Sequence, residues 1–332
     1  MKRYGNIYPK IYDMDNLRLA HKNAKKDKKF YREVVMVDSN EDYYLNLIHH
    51  MLKNKTYKVS EYKISVINDN GKERKLCKLP YFPDRIIQWA ILLQIEFIFM
   101  EVFTSFTCAS LKRRGIHKAS RLLDSYMKDL PGTQYCLKID VKKFYDNIDH
   151  EILKQLLSKK IKDKQLMTLL CKIIDSIPGG VGVPIGSYLS QFLANYYLAY
   201  FDHWLKEVVK VRYVIRYMDD VVILHSSKLF LHETLREIKK YLKMHLKLEL
   251  KGNYQIFPTA IRGVDFVGYR HFYGFKLLRK TTAKNFKRKM LDIAKTKALT
   301  DSDRCSIHSY AGWLNWCDSF RLQQKYIIWE GI

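Results

Sequence analysis

The feature that most constrains this chain is a pair of acids set into its most β-prone stretch. In VRYVIRYMDDVVILHSS, two runs rich in Val and Ile are joined through Met218-Asp219-Asp220, the pattern of a β-hairpin with carboxylates at its turn. A third acid, Asp140, ends the short strand expected at YCLKID, residues 135–140. A carboxylate at a partly buried strand end is costly unless something cationic compensates it. One compensation is a nearby Lys or Arg, an ordinary structural pairing. The other is convergence of all three acids on one sheet edge, where ionisation side by side needs a strong counter-charge and a hard divalent cation supplies it. Two such ions about 3.5–4 Å apart serve in-line phosphoryl transfer, activating a 3′-hydroxyl and neutralising a leaving pyrophosphate.

Net charge narrows the substrate. The 332-residue chain carries 59 Lys and Arg against 34 Asp and Glu, a formal charge of +25, while 47% of it is hydrophobic and 14% aromatic. That apolar content offsets ordering entropy by burial and excludes a disordered basic tail, so the charge sits on a folded surface. The partner implied is a long polyanion or an anionic membrane surface. The longest apolar run, IIQWAILLQIEFIFM at 86–100, is 15 residues long and broken by Gln88, Gln94 and Glu96. It is too short to span a bilayer and reads as a buried helix. The opening MKRYGNIYPKIYDMDN has no apolar h-region, and the six cysteines form no CxxC or CxxH pair. A reduced, cytoplasmic chain without a zinc ribbon or disulfide framework is the expectation.

No repeat or low-complexity linker divides the chain, and its length suits one elaborate domain or two to three packed subdomains. Residues 15–55 read as mostly helical, with the basic run HKNAKKDKKFYR (His21–Arg32) as a solvated face. Residues 57–80 read as a hairpin around Asn68-Asp69-Asn70-Gly71, with Lys72, Arg74, Lys75 and Lys78 beyond its turn. Asp84 is the expected N-cap of a helix on which Ile86, Ala90, Leu93, Phe97 and Met100 recur at steps of four and three. A further helix starts near His150. After a loop with Gly182, Pro184 and Gly186, a helix carries the stripe Leu189, Phe192, Leu193, Tyr196, Tyr197, Tyr200 and Trp204, which reads as core. A helix at about 229–246, short strands in LKLEL, VDFVGYRHF and FKLLRK, and a basic helical end from Thr282 complete the pattern.

YMDD at 217–220 inside a hairpin, preceded by the strand-end D-x-x-x-x-Y of DVKKFYDNID (Asp140 to Tyr145), resembles the palm of reverse transcriptases. The order and spacing of GKERKL…LPYFPDRIIQWA, SLKRRGIHKA, GVPIGSYLSQFLAN, LKLELKGNYQIF and FVGYRHF agree, so the resemblance runs from about residue 55 to 330. It implies an α+β right-hand polymerase. An N-terminal extension and fingers would occupy 1–134, and a palm 135–275, an antiparallel sheet with helices on one face and with 170–210 partly supporting the fingers. A helical thumb would occupy 276–332. Most reverse transcriptases carry Q-G-x-x-x-S-P before the palm helix; here Ile185-Gly186-Ser187-Tyr188-Leu189-Ser190-Gln191 has Ile for Gln and Gln for Pro. This IGxxxSQ pattern resembles the enzymes of diversity-generating retroelements, which copy a template-repeat RNA into cDNA with errors opposite adenine. A hydrogen-bonding site rejects wrong partners more sharply than an apolar one, so Ile185 is expected to relax selection. The alternatives are a retron, group II intron-like or abortive-infection reverse transcriptase and, more remotely, a non-catalytic RNA-binding relative.

The resemblance also assigns roles. Asp140, Asp219 and Asp220 match the catalytic carboxylates, which with the carbonyl of Val141 would bind Mg²⁺, or Mn²⁺ as a substitute. Tyr145 matches the steric gate against a ribose 2′-hydroxyl, and Arg74 the fingers arginine whose planar fork suits triphosphate oxygens. The lysine that some relatives place six residues earlier is Asn68 here, so Lys72 or Lys78 is expected to replace it. Ile185 and Gly186 belong to the nucleotide site, and Lys251 is the candidate proton donor to pyrophosphate. Lys284, Lys287, Arg288 and Lys295 share a face of the thumb helix and would track template–primer phosphates. The partners implied are template RNA, the cDNA or primer strand, dNTPs and a small basic accessory variability protein; no membrane partner is expected. No RNase H, integrase or zinc/HNH endonuclease segment is expected in the remaining length, and dependence on partners is the corresponding expectation.

Overall fold

A computed structural model describes residues 2–69, 72–184, 186–295 and 299–327, with the backbone alone at strand positions 67, 69, 72 and 74–76. The chain opens with helices α1 (Tyr8–Ile11), α2 (Met14–Ala24), α3 (Arg32–Ser39) and α4 (Glu41–Lys53), then strands β1 (Lys63–Asp69) and β2 (Lys72–Lys78). Next come α5 (Ile86–Val102), α6 (Ile116–Tyr126), β3 (Tyr135–Asp140), α7 (His150–Ser158), α8 (Lys164–Ile174), α9 (Tyr188–Tyr197) and α10 (Ala199–Glu207). The hairpin β4 (Tyr213–Tyr217) and β5 (Asp220–His225) leads to α11 (Lys228–Leu246), β6 (Gln255–Pro258) and α12 (Thr259–Arg262). Three short strands, β7 (Val264–Phe266), β8 (Tyr269–His271) and β9 (Lys276–Leu278), precede α13 (Lys280–Ala294), α14 (Asp301–Leu314) and α15 (Phe320–Tyr326). The α+β class with antiparallel sheets is what the resemblance implied.

These elements gather into two units, each built from three separated stretches of chain. The first comprises Met1–Thr104, Val141–Leu205 and Lys239–Glu249. Caps start its helices: the Asp13 side chain accepts from the amides of Asp15 and Asn16, and Asn40 accepts from Tyr43. The aromatic stripe is core, with Phe192 and Tyr196 packed on Phe99 at ring separations of 6.0 and 4.9 Å. The basic run is not wholly solvated, because His21 and Ala24 are buried within it.

Asp84 does not cap α5, contrary to its position in the sequence. Residues Tyr81–Arg85 form a short π-type turn ahead of that helix, whose start has no side-chain cap. Asp84 is instead fully buried and accepts from the Tyr57 hydroxyl at 2.6 Å and the Ser60 amide at 3.1 Å. Tertiary donors have displaced the local helix amides. The strand expected at LKLEL is also missing among the described residues, apart from a single bridging residue at Leu250. Lys247 there takes a left-handed φ of +50°, which breaks an extended run.

The second unit comprises Ser105–Asp140, Lys206–Ile238 and Leu250–Ile332. Its antiparallel sheet has the order β4-β5-β3-β6. On one face Cys136, Tyr213, Ile215, Val222, Leu224 and Phe257 pack with Ala119, Leu123 and Met127 at α6 and with Val264 and Phe266 of β7. That apolar layer specifies the register, since a slip of one residue would turn every side chain to the opposite face. A second sheet, β7-β8-β9, packs with α13 and α14 through Tyr269, Leu278, Phe286, Met290, Ile307 and Leu314. Its first turn requires glycine: Gly268 has φ +90°, and a β-carbon there would lie 2.3 Å from the Trp313 ring. Gly268→Ala is therefore expected to cost about 1–3 kcal/mol, or more where Trp313 cannot shift. Urea unfolding of the two proteins measures it, and equal midpoints would show that the turn relaxes freely.

Candidate active site

Strand β3 ends on Asp140 and β5 begins on Asp220, directly opposite across the antiparallel pair. Facing β-carbons in such a pair lie about 4.5–5.5 Å apart. Asp219 sits in the turn between β4 and β5, next to Met218, whose φ of +58° is left-handed and unusual for a residue with a side chain. Arg216 holds that turn. Its side chain is fully buried, and its Nη1 donates to the Met218 carbonyl at 2.9 Å. Its backbone is fixed as well, the amide donating to the Phe106 carbonyl at 3.1 Å and the carbonyl accepting from Cys108 at 2.9 Å. The sequence reading gave Arg216 no role; its one signal was a charge inside an otherwise apolar strand.

The three acids have unequal surroundings. Asp140 Oδ1 lies 2.5 Å from Lys251 Nζ, and the Lys251 amide donates to the Asp140 carbonyl at 2.8 Å, so Lys251 is held in place without a strand. Asp220 Oδ2 lies 3.5 Å from Lys138 Nζ, which donates to the Asp265 carbonyl at 2.6 Å. The Asp265 carboxylate in turn pairs with Arg279 at 2.6 Å. Asp220 Oδ1, by contrast, is buried with no hydrogen-bond partner. Burial, and then the Asp140 charge, push the Asp219 carboxyl up to about 6. Burial pushes Asp220 up to about 6 as well, against the pull of Lys138.

This donor set fits a hard divalent cation. Its ligands are oxygens, one buried carboxylate oxygen lacks a donor, and two acids resist ionisation where they stand. Lys138 and Lys251 supply part of the counter-charge. Val141, which follows Asp140, is buried. A tighter cluster of ligand atoms occurs elsewhere: His21, Asp38 and Glu41 offer atoms within 4.8 Å of one another. There Lys25 Nζ already lies 2.7 Å from Asp38 Oδ1 and the Tyr81 hydroxyl 2.7 Å from His21 Nδ1. The cation is built into the protein, and the cluster is a structural pairing.

The remaining candidates divide between the units. In the first, Tyr145 lies in the short turn Phe144–Asn147, and its carbonyl accepts from the Val183 amide at 2.9 Å. The Gly182 amide donates to Ile148 at 2.8 Å, and His150 Nε2 lies 2.7 Å from the Gly182 carbonyl. The Gly-Pro loop is thus zipped to the Tyr145 segment. Gly186, at φ +117°, passes close to β2: a β-carbon on it would lie 3.9 Å from the Cys77 carbonyl. Ser187 caps α9 through the Ser190 amide, and its hydroxyl also donates to Gln88. Ile185 lies outside the described residues, as do the side chains of Lys72 and Arg74, whose backbones face Asp69 and Ile67.

In the second unit, Lys284, Lys287, Arg288 and Lys295 are exposed along and just after α13, while Phe286, Met290 and Ile293 are buried. Two of the four have partners within the chain. Lys287 Nζ sits 5.5 Å over the Tyr326 ring, and Lys295 Nζ lies 3.6 Å from Asp292.

Three acids thus gather at one end of an antiparallel sheet, two of them resisting ionisation. The chain belongs to the reverse transcriptase (RNA-dependent DNA polymerase) family, whose model matches residues 44–269. It is similar to protein YkfC of Escherichia coli K12, 27% identical over 250 residues, covering 63% of this chain and 65% of that protein. It is also similar to the group II intron-encoded protein LtrA of Lactococcus lactis subsp. cremoris, 25% identical over 219 residues, covering 62% of this chain and 36% of LtrA. The chain thus spans less than two thirds of either relative. Among solved structures, the telomerase of Candida albicans with a fragment of telomeric RNA shares the fold: TM-score 0.51 at 12% identity, over 73% of this chain and 52% of that one.

Because their folded pKa values are raised, Asp219 and Asp220 favour the protonated folded state. Their contribution to stability is therefore lost as pH rises from about 4 through about 6. Without divalent cations, Asp219→Asn is expected to melt above the wild type at pH 7 by about 2–4 °C, with the gap closing near pH 4. Thermal melts in chelator at both pH values measure this; coincident melts at pH 7 would show that the carboxylate is not strained. Arg216→Met is expected to cost about 3 kcal/mol in urea unfolding, since it removes a buried donor from the Met218 carbonyl.

Proposed function

We propose that this chain is the RNA-directed DNA polymerase of a diversity-generating retroelement, copying a template-repeat RNA into cDNA that is mutagenised at adenines. The polymerase reading rests on Asp140 facing Asp220 at the sheet end, with a buried carboxylate oxygen lacking a donor. Asp140, Asp219 and Asp220, with the Val141 carbonyl, would hold Mg²⁺, or Mn²⁺ in its place, which would supply Lewis acidity at the primer 3′-hydroxyl and the departing pyrophosphate. Lys138 orients Asp220 through its second bond to Asp265. Lys251, tied to Asp140, carries at Nζ the proton that the leaving pyrophosphate takes. The Arg74 fork and Lys72 bind the triphosphate, and Tyr145 bars a ribose 2′-hydroxyl. The exposed face of Lys284, Lys287, Arg288 and Lys295 follows the phosphates of the template–primer duplex.

The retroelement type is supported by Ile185-Gly186 and Gln191 in the IGxxxSQ pattern. An apolar Ile185 selects the incoming nucleotide by shape alone, and Gly186 admits close backbone approach. A group II intron-like activity is the second reading, favoured by the likeness to LtrA. A small basic accessory variability protein is the partner proposed for the retroelement. A cytoplasmic setting accords with six free cysteines, and no described helix is long and apolar enough to cross a membrane.

Primer extension on poly(rA)/oligo(dT) tests the centre. Asp219→Asn is expected to lose at least about a hundredfold in rate, and equal extension by both proteins would refute the assignment. Ile185→Gln is expected to lower misincorporation at template adenines severalfold when cDNA from both enzymes is sequenced. An unchanged adenine error rate would remove Ile185 from the explanation.

A further inference from the structure

We propose that a lysine-walled pocket in the first unit binds backbone phosphates of single-stranded RNA, giving the template a second attachment remote in sequence from the carboxylates. The pocket, about 140 Å³, is lined by Tyr8, Lys55, Tyr57, Lys164, Thr168 and Lys172 among others, and no carboxylate is among its lining residues. It is smaller than the roughly 300–1,000 Å³ of small-molecule sites and suits a phosphate group better than a drug-sized ligand.

The charge in this pocket is available. Lys25, Lys138, Lys154, Lys247, Lys251, Lys276 and Lys289 each have a carboxylate within reach. Lys55, Lys164 and Lys172 have none among the described residues. The adjacent acid, Asp163, is committed elsewhere: one oxygen accepts from the amides of Ile7 and Tyr8 at 2.7 and 2.9 Å, the other from Gln165 and Leu166 at 3.1 Å each. Asp163 also fills the N-terminus of α8, so the lysines rather than the helix dipole would draw an anion here.

The walls are fixed. Tyr8 donates its hydroxyl to the Leu52 carbonyl and Tyr57 to Asp84, both at 2.6 Å, which leaves their rings as the pocket's sides. Lys164, Thr168 and Lys172 stand at i, i+4 and i+8 on α8, a row with steps of about 6 Å along the helix. Lys55 faces the pocket from a left-handed turn, φ +59°, closed by its amide on the Leu52 carbonyl. Three point charges around a small cleft that holds no carboxylate suit the phosphates of a nucleic-acid strand.

The inference rests on the polymerase reading only in naming RNA as the anion. The test is fluorescence anisotropy of the whole chain with labelled oligo(rU) from 50 to 200 mM salt, comparing wild type, K55Q/K164Q/K172Q and K55R/K164R/K172R. At about 0.7 per phosphate contact, the Gln variant should lose about two units of salt slope. Its deficit relative to wild type should then shrink roughly fifteenfold across that range. The Arg variant should keep the wild-type slope. A Gln variant with the wild-type slope, or an Arg variant as impaired as the Gln variant, overturns the proposal. So does a Gln variant that loses binding to poly-glutamate while keeping oligo(rU), which would make the pocket a protein-docking site. Primer extension by the wild type is scored separately. Failure there refutes the polymerase reading, whereas the anisotropy result stands on its own.

Discussion

The repulsion between Asp140 and Asp220 across one β-pair is the constraint on which the second unit depends. The Asp140 charge adds to burial in pushing the Asp220 carboxyl toward protonation, and does the same to Asp219 in the turn. Left to itself, such a sheet end would splay or slip. What prevents this is apolar: Cys136, Val222, Leu224 and Ile215 packed with α6 and β7 lock the register that keeps the acids opposed. The charged groups around the acids trim the cost without cancelling it. Lys251 serves Asp140 and Lys138 serves Asp220, yet one Asp220 oxygen keeps no partner and two carboxyls are held near 6. A sheet end that keeps a residual electrostatic debt, rather than burying Val or Ile there, is one that gains stability when a cation arrives.

Arg216 shows how that site is held from behind. A left-handed Met218 is needed for a tight turn that puts Asp219 between the two strands, and glycine would be the ordinary means. The chain instead keeps Met and fastens its carbonyl with a buried guanidinium two residues earlier. A glycine turn would be permissive, with more conformations to lose on folding; a pinned Met turn is committed to one geometry.

What could be read from the sequence, and what could not, follows from distance along the chain. The hairpin, the acids at its turn and the strand ending on Asp140 were legible because each rests on contrast between neighbouring residues. The core stripe of α9 was legible because helical periodicity displays it. Asp84 misled, since a cap is a local inference, whereas its donors Tyr57 and Ser60 lie 27 and 24 residues away. His21 was hidden by the lysines around it, although its partners Asp38 and Tyr81 draw it into the core. The interleaving of stretches within each unit is likewise invisible to a pass along the chain, because it arises from contacts between stretches separated in sequence by residues of the other unit.

The net charge of +25 gains meaning only when each lysine is asked what it already holds. Lys276 is spent on Asp124 and Ser120, Lys247 on Asp149, and Lys154 on Asp175 and Glu151; these fasten segments of the fold. An ammonium so engaged offers little to a phosphate, because binding would first have to break a contact made at 2.7–2.8 Å. A surplus counted over the whole chain therefore overstates the charge available to a polyanion. Lys284 and Arg288 on α13 and the pocket beside α8 carry more weight than a longer basic run such as His21–Arg32, where His21 and Lys25 already answer to Asp38. Lysines that lack an internal partner while standing on a rigid helix are the ones for which an external anion is the remaining counter-charge.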